Sequence, residues 1–300
     1  MKKKPVPVPA APASAFAVPD IHPDQHIIDV LIEERCPSFV DHWTWPITRP
    51  MLFQLLGYRK ARRMADTMED MSGEESFDYL AKELDFRLDI HHFDRIPREG
   101  RVVVIANHPT GLADGVAVWE ALSRVRRDIV FFANADAMRV NPNFGETIIP
   151  VEWLMEKRSP AKTRETLRLA GEAFAEEKCV VIFPSGKLAK MVNRKLTEQE
   201  WFPTAISLAK KKKAPIVPLH VGSRNSQLYY LFSTWNGELR DITLFYELLN
   251  KQNSLFKMVA GPLIDPDTLS GDATEISDAM KDYIAYDLPG APHTSFSFEA

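Results

Sequence analysis

The sequence predicts an α/β fold with a mixed, largely parallel sheet flanked by helices, preceded by a helical N-terminal segment. From about residue 86 onward, short apolar runs alternate with longer amphipathic stretches, as in domains built from strand–helix repeats. The run at 102–105 is apolar and β-branched throughout, which is typical of a strand covered on both faces. The 300 residues are 45% hydrophobic, which is enough for one large core.

The elements follow in order along the chain. Residues 1–22 are rich in proline and alanine and are predicted to be a disordered tail. Residues 23–85 are predicted to be helical, with helices at 25–35 and 74–85. Residues 86–290 are predicted to form the α/β domain, and residues 291–300 are predicted to form a second tail. In the domain, strands are predicted at 86–93, 101–106, 129–133, 179–183, 216–221 and 255–260. Helices are predicted at 113–125, 160–177, 203–211, 225–232, 241–250 and 273–286.

The helical segment contains an apolar, tryptophan-containing stretch at 43–56, followed by a basic cluster of Arg59, Lys60, Arg62 and Arg63. Apolar and aromatic bulk beside basic residues is typical of a helix lying among lipid head groups. An amphipathic helix packed on the domain shows the same pattern, so both interpretations remain open.

Composition restricts the class of protein. A formal net charge of −4 argues against a general nucleic-acid-binding protein. The two cysteines, Cys36 and Cys179, lie far apart and fit a reducing cytosol better than a disulfide framework. No apolar run reaches the length of about 18 residues that a membrane-spanning helix needs. His91 and His92 are adjacent on a predicted strand and point to opposite faces, so no metal site is predicted.

The strand at 101–106 runs into a loop that contains His108 and Asp114. The two residues do not share a helical face, but Pro109 and Gly111 allow the chain between them to bend back. An aspartate that accepts from one imidazole nitrogen leaves the other nitrogen free to take a proton, so the pair predicts general-base chemistry. A structural alternative is a buried histidine in a turn, with Asp114 as a helix cap.

The stretch NHPTGLADG, from Asn107 to Gly115, resembles the first motif of the glycerophospholipid acyltransferase superfamily. The spacing between its histidine and aspartate is one residue longer than usual in that family. A proline- and glycine-rich loop of this length is closest to the "putative hemolysin" or ornithine-lipid-type branch.

Three further stretches resemble the later motifs of this family, in the right order. Ile149 and Pro150 match the second motif, which lines the acceptor cleft, although its usual arginine is missing. The stretch 216–219 matches the fourth. The third motif is matched by a run in which serine replaces the family glutamate and Leu188 replaces the family arginine: Phe183, Pro184, Ser185, Gly186 and Lys187. Because that arginine grips a phosphate, its loss argues against a lysophosphatidate-type acceptor.

The resemblance implies that 86–290 is an acyltransferase domain. It would move a fatty acyl group from acyl-CoA or acyl carrier protein to a hydroxyl of a lipid or lipid precursor, with no other cofactor and no metal. His108 would be the base, Asp114 would orient it, and backbone amides near Gly186 would stabilise the oxyanion. The chain is expected to lie peripherally on the cytoplasmic face of the cell membrane, in an oligomeric state left open. The alternative is a non-catalytic lipid-binding protein on the same fold.

Overall fold

The computed structural model describes residues 15–16, 25–152 and 157–298. Most of the predicted tail at 1–22 therefore lies outside the described residues, and within it Phe16 is buried. The helical N-terminal segment is confirmed in its described part. Its helices are α1 (Ile27–Glu33), α2 (Pro37–Val40), α3 (Trp45–Leu55), α4 (Tyr58–Met68) and α5 (Gly73–Leu84).

The predicted mixed, largely parallel sheet is confirmed. The strands are β1 (Arg87–His91), β2 (Val102–Ala106), β3 (Ile129–Asn134), β4 (Ile148–Val151), β5 (Cys179–Ile182), β6 (Lys190–Val192), β7 (Lys195–Thr197), β8 (Ile216–Gly222) and β9 (Leu255–Ala260). In the described part of the chain, seven of them form one sheet in the order β1-β9-β8-β2-β5-β3-β4, in which only the β8–β9 pair is antiparallel. Strands β6 and β7 form a separate hairpin. The carboxyl ends of β2, β5 and β8 therefore meet at one edge, where parallel α/β sheets place their ligands.

Helices cover both faces of the sheet. The later helices are α6 (Leu112–Leu122), α7 (Asp136–Val140), α8 (Pro160–Ala175), α9 (Thr204–Lys212), α10 (Gln227–Trp235), α11 (Gly237–Ile242), α12 (Leu244–Leu249) and α13 (Ala273–Asp282). Val102 and Val104 of β2 join the core on the side of α5 and α6. Val103 and Ile105 join the core on the side of α8, α9 and α13. Central strand β2 is thus buried on both faces, which explains its unbroken apolar sequence.

Some elements differ from the prediction in extent. Helix α6 ends at Leu122 instead of residue 125. The Arg126 guanidinium holds the chain that follows the helix, because it donates to the carbonyls of Pro97, Gly100 and Glu177. The β6–β7 hairpin is not predicted. Its turn uses Asn193 and Arg194, both with positive φ, without the glycine that usually marks such a turn.

The N-terminal helices share the core of the domain. Phe77 of α5 stacks on Trp119 of α6 with ring centres 4.8 Å apart. Residues 291–298, in the predicted second tail, form no helix or strand and lie against the domain. There the Arg95 guanidinium donates to the Pro292 carbonyl, and the Tyr283 hydroxyl donates to the Thr294 carbonyl.

Candidate active site

The loop after β2 is held to β8 by the side chain of Asn107. The Asn107 Nδ2 donates to the Val221 carbonyl at 2.9 Å, and the Val221 N–H donates to Asn107 Oδ1 at 2.7 Å. Backbone pairing of β2 with β8 ends at Ala106, so this buried amide continues the ladder by one residue. It thereby fixes the point from which His108 projects.

Asp114 is the buried acidic residue that the hydrogen-bond donors of the loop surround. Its carboxylate is fully buried and accepts from the backbone N–H of Thr110 at 2.7 Å, the backbone N–H of Gly111 at 2.9 Å, and the Thr110 hydroxyl. The carboxylate lies in the first turn of α6, where the helix dipole favours a negative charge. These donors hold the buried charge in one position.

The structure brings the predicted pair together. Nδ1 of His108 lies 3.0 Å from Oδ2 of Asp114. The ring orientation leaves the N–H off the line to that oxygen, so the contact is an ion-pair approach without a well-formed hydrogen bond. The ring stacks on Phe183, with centres 4.3 Å apart, and the His108 side chain keeps 17% of its surface exposed.

Two residues that follow the third motif, Ala189 and Glu198, bind the backbone of His108. The Ala189 N–H donates to the His108 carbonyl at 3.2 Å, and the His108 N–H makes a long, 3.5 Å bond to Oε2 of Glu198. Trp201 Nε1 also donates to that oxygen at 3.5 Å. Burial raises the pKa of Glu198, although the neighbouring His108 opposes this shift. Sequence reasoning missed Glu198, because no recognised motif contains it.

The third motif forms a tight turn beside His108. Pro184 and Ser185 are buried, and Gly186 has a positive φ of 55°. The Gly186 N–H donates to the Phe183 carbonyl at 3.0 Å, and the Lys187 N–H donates to Ser185 Oγ at 3.3 Å. Both amides already have acceptors in this conformation, so an oxyanion could use them only after the turn opens. Lys187 is exposed.

Leu188 occupies the position of the family arginine, and it packs against the loop that contains His108 and Asp114. A Cβ added to Gly111 would lie 2.9 Å from Leu188 Cδ2, so the two residues are in close contact. Gly111 also has φ 85° and ψ −127°, a conformation that side chains rarely adopt.

We expect Gly111→Ala to lower the free energy of unfolding by about 1–3 kcal/mol, because the new methyl group adds backbone strain and a clash. The matched control is Gly115→Ala in the same helix. An added Cβ there meets nothing within 4 Å, so this change should stabilise the protein by up to about 1 kcal/mol. Urea denaturation measures both effects. Equal stability of the two variants would contradict this view of the loop.

The second predicted motif lies farther from His108. Ile149 and Pro150 are on β4, the edge strand three places from β2, which corresponds to about 14 Å at the usual strand spacing. The next residues, Val151 and Glu152, line a groove of about 280 Å³ that also reaches Phe183. The residues that follow the second motif therefore reach the groove beside Phe183, whereas Ile149 and Pro150 themselves do not contact His108.

The groove is mostly apolar. Its walls include Phe132, Leu167, Ile182, Phe183 and Phe202. Two cations stand at its side: Arg158, and Lys162, which pairs with Glu152 at 2.7 Å. Phe183 is the wall that the groove shares with the His108 ring. Within residues 15–16, 25–152 and 157–298, no three histidine, cysteine or acidic side chains cluster closely enough to hold a metal ion.

Comparisons with known proteins show what the chain is similar to. Residues 87–222, from β1 through β8, match the Acyltransferase family model. The chain is 24% identical over 162 residues to the lyso-glycine lipid O-acyltransferase of Bacteroides thetaiotaomicron, covering 54% of this chain and 58% of that protein. It is 22% identical over 203 residues to the enzyme of the same name from Phocaeicola vulgatus, covering 65% and 71%.

Among solved structures, the chain is similar to the 1-acyl-sn-glycerophosphate acyltransferase of Thermotoga maritima. The two share 11% identity and a TM-score of 0.47, over 90% of this chain and 97% of that one. The matched family model spans the strand–loop–helix that contains His108 and Asp114, as well as the third-motif turn. This match and the two related sequences support the predicted resemblance to the glycerophospholipid acyltransferase superfamily.

Proposed function

We propose that the protein is a lipid O-acyltransferase that moves a fatty acyl group from an acyl thioester to a hydroxyl of a lipid acceptor. The observation that carries this proposal is the position of His108 Nδ1, 3.0 Å from the fully buried carboxylate of Asp114. A small rotation of the ring would let the Nδ1–H donate to that carboxylate. Nε2 would then be the unprotonated nitrogen, free to act as a base.

The reaction needs no covalent acyl-enzyme. Nε2 of His108 takes the proton of the acceptor hydroxyl as its oxygen attacks the thioester carbonyl, and Asp114 stabilises the imidazolium that forms. The tetrahedral intermediate then collapses, and its C–S bond breaks. The departing thiolate takes the proton from the imidazolium, which leaves an ester, a free thiol and the neutral histidine.

We assign the apolar groove beside Phe183 to the acyl chain, in place of the acceptor cleft that the resemblance implies for the second motif. Its aromatic and aliphatic walls suit a fatty chain, and it begins at the residue on which the catalytic ring stacks. Arg158 and Lys162 would face the anionic part of a donor, either the phosphates of CoA or the acidic surface of acyl carrier protein.

For the acceptor, we propose a lyso-lipid with an amide-linked amino acid head group. Leu188, in the place of the phosphate-gripping arginine, packs on Gly111 and offers no charge there. The two related sequences are named lyso-glycine lipid O-acyltransferases, although the chain spans only 58% of the length of the first. The predicted hemolysin-like or ornithine-lipid-type branch is compatible with this acceptor and remains a prediction.

An assay with the purified full chain tests the proposal. Palmitoyl-CoA and palmitoyl-acyl carrier protein serve as donors, an N-(β-hydroxyacyl)glycine and lysophosphatidate serve as acceptors, and mass spectrometry detects the ester. We expect ester formation on the amino acid lipid and release of one thiol per ester. Tight lipid binding with no ester from either donor would instead support the non-catalytic lipid-binding protein.

We further propose that α3 lies on the cytoplasmic surface of the cell membrane, where acyl thioesters are available. No helix among the described residues is long and apolar enough to cross a bilayer. One face of α3 packs inward through Trp45 and Phe53. On the opposite face Ile47, Met51 and Leu55 are exposed, and the exposed Trp43, two residues before the helix, continues their four-residue spacing. That face fits insertion among lipid head groups.

We expect the double variant Trp43→Ser/Met51→Ser to weaken binding to anionic liposomes by about 100-fold or more, since each of the two side chains contributes about 1.5–3 kcal/mol when fully buried. Both side chains are exposed, so folding should be unaffected. Cosedimentation measures the binding. Leu263→Ser, which changes an exposed leucine outside α3, is the matched control. Equal binding of the control and the double variant would contradict the membrane role of α3.

A further inference from the structure

A second cavity, of about 400 Å³, lies where the chain leaves β8 and enters α10. Arg224, Asn225, Ser226 and Lys251 are among its lining residues. Neither the mechanism above nor the groove for the acyl chain uses this cavity. Its lining is polar and charged, which suits a head group better than a fatty chain.

Asn225 is the unusual member of this lining. Its side chain belongs to a residue that is 4% exposed, yet neither Nδ2 nor Oδ1 forms a hydrogen bond with any residue that the structure describes. Its backbone is well held, because the Asn225 N–H donates to the Tyr230 hydroxyl at 3.1 Å. Leaving a buried polar atom unpaired costs about 1–3 kcal/mol. A fixed backbone with an unpaired amide is the arrangement expected of a ligand-binding side chain.

The charge around Asn225 favours an anion. The exposed Arg224 makes no hydrogen bond or ion pair with the other described residues. Lys251 and Glu247 balance each other, with Nζ 2.9 Å from Oε2, and Glu247 also accepts from the N–H and hydroxyl of Ser226. Ser226 is the N-cap of the nine-residue helix α10, whose positive dipole end therefore faces the cavity.

The cavity lies close to the catalytic loop. The Asn107 side chain is hydrogen-bonded to Val221, and Asn225 lies four positions after Val221, a span of at most about 14 Å. Burial raises the pKa of Tyr230, and the negative charges of Glu247 and Asp114 add to this shift. Tyr230, whose hydroxyl accepts from the Asn225 N–H, therefore lies near both the cavity and the Asp114 carboxylate.

We propose that Asn225 and Arg224 form the head-group site of the acceptor and bind an N-acylated α-amino acid with a free carboxylate. The inference rests on the proposed acyl transfer and adds where and how the acceptor is recognised. An acylamino carboxylate offers what the unpaired amide lacks. Its carboxylate accepts from Asn225 Nδ2 and from Arg224, and its amide N–H donates to Asn225 Oδ1. A phosphate dianion only accepts, so it would leave Oδ1 unpaired.

The test compares two acceptors that differ only at the head group, an N-(β-hydroxyacyl)glycine and its carboxamide. We expect the wild type to show a KM about 10- to 100-fold lower for the carboxylate, the effect of hydrogen bonds to a charged group. Asn225→Ala and Arg224→Gln should each raise the KM for the carboxylate by about 10-fold or more and change kcat much less, because head-group binding is shared by ground and transition states.

Asn225→Asp provides a sharper variant. Its added charge should raise the KM for the carboxylate more than the KM for the carboxamide. Arg98→Gln is the matched control, because Arg98 is exposed and precedes β2, at the opposite edge of the sheet. Calorimetric binding of the N-acylglycine to the wild type and to Asn225→Ala gives a readout that does not depend on turnover.

The outcomes separate the two proposals. Selective loss of carboxylate recognition in the Asn225 and Arg224 variants supports the head-group site. Equal KM values for both acceptors, with no change in the variants, would overturn the site and leave acyl transfer standing. A lower KM for lysophosphatidate, lost in Asn225→Ala, would replace the amino acid head group by a phosphate. No ester from any acceptor would refute the proposed function, and calorimetry would then decide the head-group site alone.

Discussion

His108→Ala is expected to lower kcat for acyl transfer by about 10²- to 10⁴-fold, the usual contribution of a general base. The variant loses Nε2, the only atom in the proposed reaction that takes the proton of the acceptor hydroxyl. The acyl chain should still bind, because the groove is lined by many residues and His108 is not among them. Steady-state kinetics and donor binding, measured on the same preparation, check both statements.

The control for His108→Ala is a second histidine that is held by the fold and lies outside the site. His220 on β8 has Nδ1 2.9 Å from the Ile284 carbonyl, and burial lowers its pKa. We expect His220→Ala to reduce stability and to leave kcat of the folded fraction unchanged. Similar losses of kcat in both variants would mean that general destabilisation, and no specific base, explains the effect of His108→Ala.

Asp114→Asn is expected to reduce kcat by about 10²- to 10⁴-fold and also to lower the free energy of unfolding by about 3 kcal/mol or more. The amide cannot stabilise the imidazolium. It also leaves a single oxygen to accept from the backbone N–H groups of Thr110 and Gly111 and places an NH2 donor in this fully buried cluster of donors. Kinetics give the first effect, and urea denaturation gives the second.

Thr110→Val separates these two roles of the carboxylate. This change removes one hydroxyl donor and keeps the charge of Asp114, so it should cost stability and spare most of kcat. If Asp114→Asn kept nearly the wild-type kcat, then Asp114 would be a structural cap, which is the alternative that the sequence alone leaves open.

Local patterns account for most of the fold. The apolar run of β2 and the capping box of α5, formed by Ser72 and Glu75, are decided by residues close together in the chain, and both elements lie where predicted. The His108–Asp114 pair could also be predicted, because its short loop follows a strand directly. Its geometry could not, since the ring is positioned by Phe183, far away in the sequence.

The remaining site residues depend on contacts between distant segments. Glu198 reaches the backbone of His108 across 90 positions, and the Asn107 amide reaches Val221 across 114. No periodicity or motif predicts such contacts. The oxyanion donors expected near Gly186 are an example in which the sequence does not predict the hydrogen bonding. Gly186 has a positive φ, but its N–H is already bonded within the turn.

The central claim is that His108 and Asp114 transfer an acyl group onto a lipid hydroxyl. Its most direct test is lipid mass spectrometry on cells that express the wild type, His108→Ala, Asp114→Asn and the His220→Ala control at equal levels of folded protein. The account predicts that one class of acylated amino acid lipid rises with the wild type and the control, and with neither site variant. The same rise with His108→Ala would contradict the account.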